Sequence, residues 1–175
     1  MSIYPVFSDL RSSAKSAFHA ARHQAQLAQL VARLMRRWEP LADFNDLPNI
    51  QSNGHTYKGL QSVPLEQIAG SVNRKGDFDQ QFRPLRKHLG ERWANVYLLL
   101  QNDGWEPVRL YRVGEKYYVE DGHHRVSVAH TVGMQYIEAE VWEYVAGKPT
   151  CCCEIVRIPA RRTSVPACYE ESASA

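Results

Sequence analysis

Asp121-Gly122-His123-His124-Arg125 is the densest run of chemically capable side chains in this 175-residue sequence. It sets a carboxylate, two imidazoles and a guanidinium around one glycine, with Ser127 close behind. Carboxylates and imidazoles exchange protons, so Asp121 and His123 are the candidate acid/base groups. Guanidinium forks, ring N–H groups and hydroxyls donate to phosphate oxygens, which makes Gly122, His123, His124, Arg125 and Ser127 a candidate anion site. Asn73 and Arg74, in the polar stretch from Gly70 to Asp77, join that site if their loop folds over the turn. A solvated turn in which Asp121 merely caps a helix is the plainer alternative, and the packing of three donor side chains behind one glycine weighs against it.

The elements that must position these residues are legible on either side. Tyr117 to Glu120 alternates with the period of a strand, and Asp121-Gly122 is a turn pair in which glycine can take positive φ. From His124 the apolar positions Val126, Val128, Ala129 and Val132 follow mostly helical spacing, and Gly133 supplies a left-handed stop. A helix is therefore predicted to begin at the histidines. Its unpaired N–H groups and the positive end of its dipole would face an anion.

Composition bounds the rest. Hydrophobic residues make up 44% of the chain and the net charge is +2, which fits one soluble domain with appendages and gives no bulk electrostatic case for nucleic-acid binding. No apolar run approaches a membrane span and no signal peptide is evident, so the chain reads as cytoplasmic. Cys151, Cys152 and Cys153 are adjacent, with Cys168 beyond them, which suits neither a spaced zinc knuckle nor a disulfide framework. They read as reduced thiols at the start of a strand, Cys151 to Ile158.

Along the chain, Leu10 to Trp38 lacks Gly and Pro, so a long helix is predicted there, capped by Ser8 and ended by Pro40. Its apolar stripe tightens towards the C-terminal half, which is expected to be the docked half. At about 43 Å such a helix outruns a small domain, and a homodimer or protein partner is expected on it. Arg22, Arg33, Arg36 and Arg37 on this helix suit at most weak, sequence-independent contact with nucleic acid. Leu41 to Asn53 suggests a short helix and a linker, and Leu60 to Ile68 a strand interrupted by Pro64. Phe78 and Phe82 are spaced for one helix face. Arg86 to Asn102 is a second amphipathic helix, Pro107 to Val113 with Lys116 to Glu120 a hairpin around Gly114-Glu115, and Ile137 to Val141 a half-buried strand. The sum is an α+β fold, a small mixed sheet with helices in a domain spanning 55–145. A helical extension and linker cover 1–54, and a C-terminal extension covers 146–175.

The stretch from Leu60 to Tyr144 resembles the N-terminal domain of ParB-type proteins, within the ParB/sulfiredoxin superfamily. The likeness rests on V-P-L-E-Q-I at Val63 to Ile68, G-S-V-N-R at Gly70 to Arg74, and P-V-R-L-Y-R-V-G-E-K-Y-Y-V-E-D-G-H-H-R-V-S-V-A at Pro107 to Ala129. It is nearest to small bacterial ParB-like proteins. In partition proteins the matching motif binds the triphosphate of CTP, which implies a phosphate site at Gly122 to Arg125 with Asn73 and Arg74 where the upstream arginine stands. In sulfiredoxin a catalytic cysteine stands where this chain has His123, so sulfiredoxin activity is not expected. The superfamily's free-serine kinases carry a similar turn, but the glutamate base they use has no match here.

These readings imply a nucleotide-binding regulatory or interaction module, taking CTP or ATP/ADP with or without Mg²⁺ and holding no resident metal. A small phosphotransferase or nucleotide hydrolase using Asp121 and His123 is the alternative, and a nucleic-acid-binding protein the third. Removing Arg125 separates a solvent-facing ligand cation, which costs affinity, from a structural arginine paired with Asp121 or Glu120, which costs stability.

Overall fold

A computed structural model describes residues 4–37, 39–47, 54–102 and 104–144, and the predicted strand Cys151 to Ile158 lies outside them. Strands alternate in the way the sequence pattern requires. β4 (Val108–Val113) buries Val108 and Leu110, and β6 (Tyr136–Tyr144) buries Ile137, Ala139 and Val141, while the residues between them point to the other face. With β1 (Ala42–Asp43), β2 (His55–Pro64), β3 (Ile68–Ser71) and β5 (Lys116–Asp121) they form a six-stranded mixed sheet ordered β1-β3-β5-β4-β6-β2. The β4–β5 hairpin turns at Gly114-Glu115 as expected, with Gly114 at φ 62°. The fold is α+β.

One face of the sheet carries the core. Its valines, leucines and alanines pack under α2 (Gly90–Asn102) and α3 (His123–Val132), with Trp93, Val126, Val128 and Ala129 fully buried between them. Burying each such large side chain contributes about 1.5–3 kcal/mol, so this layer fixes where α3 begins. The opposite face is an aromatic surface, with Tyr111, Tyr118 and Tyr144 gathered around Phe44.

The long helix α1 runs from Tyr4 to Leu34. Ser8 therefore lies inside it and is not its cap. It stops four residues short of Trp38 because Arg36 takes φ 55°, with its N–H bonding Arg33 O at 3.1 Å and the Arg37 N–H bonding Ala32 O at 2.8 Å. That closing pair of bonds ends the helix before Pro40 is reached. The docked half is also the reverse of the expected one. Ala14, Phe18, Ala21 and Ala25 are buried, and Phe18 meets Trp93 beside Gly90, where a Cβ would sit 3.0 Å from its ring. Arg11 and Lys15 pair with Glu91 at the start of α2. The 13 residues of α2 span about 20 Å and cannot cover all of a 31-residue partner. Beyond Ala25 the apolar stripe of the last turns stands clear among the described residues, with Leu30 66% and Leu34 85% exposed.

Three further local expectations give way. The segment after Pro40 forms not a helix but the two-residue strand β1, parallel to β3, and a 3-10 turn at Phe44–Asp46 capped by the Asp43 carboxylate. Leu41 joins the main core and Phe44 the aromatic face, so the packing runs across residue 55. The strand read from Leu60 to Ile68 splits into β2 and β3 around a 3-10 turn at Leu65–Gln67, directly after Pro64. Phe78 and Phe82 share no helix. Phe82 sits at φ 55°, and Asp79 holds the turn by accepting from the Gln81 and Arg83 N–H groups. Both rings still reach the core, by a hairpin-like route. No helix among the described residues is long and apolar enough to cross a membrane.

Candidate functional site

β5 ends at Asp121, Gly122 takes φ 94°, and α3 starts at His123, so the strand, turn and helix fall where the sequence pattern places them. Only glycine fits the turn. A Cβ there would lie 2.6 Å from Val108 Cγ1, besides demanding the left-handed region. No side chain caps α3. Its first-turn N–H groups and the positive end of its dipole are thus left to a ligand or to solvent.

These groups border a recess of about 110 Å³ lined by Arg74, Arg92, Val96, Glu120, Asp121, Gly122, His123, His124 and Arg125. Arg74 reaches it from the loop after β3, where it also pairs with Asp77 at 3.2 Å. Arg92 comes from the first turn of α2 and makes no hydrogen bond or ion pair among the described residues. The sequence reading misses it because an arginine on the outer face of an amphipathic helix looks like any solvated cation. The remaining candidates are not brought to the recess. Ser127 is fully buried and its Oγ accepts from Trp93 Nε1 at 2.9 Å, which ties α3 to α2. Asn73, at φ 65°, uses its amide oxygen to accept from Asn45 Nδ2 at 2.9 Å.

Arg125 is tethered. Its Nη1 donates to Glu106 O at 2.6 Å and Pro107 O at 2.8 Å, and its Nη2 to Asp121 Oδ2 at 2.6 Å. The side chain is only 18% exposed. The pairing with Asp121 that the structural role requires is formed. Arg125 binds the start of β4 to the end of β5 and fixes the turn between them.

Both histidines face inward. His123 Nε2 lies 2.7 Å from Ser71 Oγ, its ring stacks on Phe78, and Phe78 also meets His124 in a T-shaped contact. Burial, with Arg74 nearby, pushes His123 down to about 4; burial, with Arg92 nearby, does the same to His124. Both are neutral at pH 7. They add N–H donors or acceptors but no charge, and the buried Nδ1 of His124 has no hydrogen-bond partner among the described residues. For proton transfer the arrangement is poorly prepared. Asp121 is bonded to Arg125, His123 to a serine that is itself fully buried, and no hydrogen bond joins Asp121 to His123 among the described residues. Among those residues no group of three or more His, Cys, Asp or Glu converges as metal ligands would. Of the basic residues on α1, Arg22 is held by Leu85 O at 3.2 Å.

No protein-family model matches the chain, and no curated protein matches it. Among solved structures, sulfiredoxin from Arabidopsis thaliana is similar over 49% of this chain and 86% of that one, at 20% identity and a TM-score of 0.38.

Proposed function

We propose that this chain is a nucleotide-binding regulatory or interaction module that holds its ligand by the phosphates at the start of α3. The observation that carries the reading is convergence: two arginines from separate elements, Arg74 and Arg92, meet the uncapped first turn of α3 at one recess. Forked cations and aligned backbone N–H groups are the two devices that proteins use for phosphate. Arg125 acts by positioning, holding Gly122 and the helix start in place, while Arg74 and Arg92 supply the charge. Asn73 and Ser127 support the loop and the helix from outside the recess.

The recess is far smaller than the roughly 300–1,000 Å³ that encloses a whole small molecule. The phosphate end therefore enters and the nucleoside lies across the rim. The resemblance to ParB-type domains favours CTP, with ATP or ADP as the other ligands of this chemistry. Any Mg²⁺ arrives with the phosphates. Binding without turnover is favoured over phosphoryl transfer because Asp121 and His123 are both engaged in the fold.

Titration calorimetry of the whole chain with CTP, ATP, ADP, inorganic triphosphate and cytidine, with and without Mg²⁺, tests this. Ligands that carry phosphate should bind and cytidine should not, and Arg74→Ala should weaken the best of them about tenfold. Absence of binding by every phosphate compound, or cytidine binding as well as CTP, would overturn the reading.

A further inference from the structure

Two apolar surfaces have no partner among the described residues, and their charges are opposite. The first is the free half of α1, where Leu27, Leu30 and Leu34 repeat at coiled-coil spacing beside Val31 and Met35, all exposed. Arg33, Arg36 and Arg37 accompany them, and residues 26 to 37 contain no acid. The second is the outer part of the aromatic sheet face, at the β2–β6 edge. There the register places Tyr57 opposite Trp142, Leu60 opposite Glu140, Ser62 opposite Glu138 and Pro64 opposite Tyr136. Directly paired residues share a face, so Tyr57 at 49% and Leu60 at 59% exposure stand with exposed Tyr136, with Glu138, and with Glu140, which pairs with Arg109 at 3.6 Å.

We infer that the free half of α1 of one molecule lies across the β2–β6 face of a second copy of this chain. Among the described residues the outer part of this sheet face is uncovered, and helix on sheet is one of the stable ways to bury such an apolar surface. Basic helix against acidic sheet sets the orientation. A two-fold axis would use the helix–sheet contact twice, and such closed pairs are the commonest assembly. Helix against helix is disfavoured, because pairing two such segments would bring Arg36 and Arg37 of each near those of the other. The inference does not depend on any ligand.

Light scattering of the full chain at micromolar concentration tests it, with thermal melting as the control for folding. The wild type should be a dimer. Leu34→Glu on the helix and Leu60→Glu on the sheet should each shift it to monomer, raising the dissociation constant at least tenfold. Equal mixtures of those two variants should recover part of the dimer, since one of the two contacts then remains wild type on both sides. Arg36→Glu and Glu138→Lys should each weaken association, and the double variant should restore it. A strictly monomeric wild type, showing these faces covered otherwise or not at all, overturns the inference. A dimer that Leu34→Glu breaks and Leu60→Glu leaves intact also overturns it, in favour of helix–helix pairing.

Discussion

On one side of the recess Arg125 commits its guanidinium to Glu106 O, Pro107 O and Asp121, whereas on the other Arg92 projects from α2 with no such tether among the described residues. The same side chain, bordering the same hollow, holds geometry in one place and is available to a ligand in the other. What separates them is how many fixed acceptors lie within reach. A guanidinium already satisfied by two backbone carbonyls and a carboxylate has little left to offer a phosphate, while one without partners loses only water on binding. The turn wall should therefore report mutations as stability, and the arginine wall as affinity.

The largest effect is expected at Gly122. Valine there meets both a left-handed backbone and Val108, at roughly 4 kcal/mol from strain and overpacking together. Denaturant unfolding should show it, and a variant as stable as wild type would mean that the turn wall is soft.

Acid should attack the same wall. His123 and His124 have folded values of about 4 against about 6.5 for unfolded histidine, so between these limits the unfolded chain binds more protons. Stability is complete above about pH 6.5 and falls as pH drops towards 4, by about 1.4 kcal/mol per pH unit for each imidazole. Between pH 6.5 and 5 the pair should cost about 3 kcal/mol, and His124→Gln should reduce the slope of a stability-versus-pH curve. A flat curve would place these rings in water.

Arg125→Ala removes charged hydrogen bonds to two carbonyls and should cost about 2 kcal/mol in a thermal melt. Arg92→Ala should be the gentlest, within about 0.5 kcal/mol of wild-type stability, while lowering affinity for a triphosphate about tenfold in calorimetry. If the two arginine variants lose stability equally, the contrast between the walls disappears.

The central motif was legible because its signals are local. Gly122 and Gly133 bracket α3 with left-handed φ values, and the hairpin around Gly114 follows from two short alternating runs. The misreadings share the opposite property. Ser127 is claimed by Trp93, 34 residues away, a partner that no periodicity reveals. Phe78 and Phe82, four apart, satisfy helix spacing and hairpin-like spacing alike, and Asp79 settles the matter through bonds to three groups of its own turn. On α1 the stripe shows which face is apolar but not which half finds cover, because that depends on the length of α2 and on Gly90 admitting Phe18. Arg92 was invisible for a related reason: its neighbours in the recess come from β5, α3 and the loop after β3.

The pairing of β2 with β6 also constrains how the chain reaches this structure. Each pair in that ladder joins residues roughly 70 to 90 positions apart, and among the described residues β2 has no other neighbour in the sheet. Closing so long a loop costs entropy before any ladder bond is gained, which places the domain among slower folders than a helical bundle of equal size. During synthesis, the strand that begins at His55 must therefore wait, with Tyr57 and Leu60 open to any passing edge, until Tyr144 has left the ribosome.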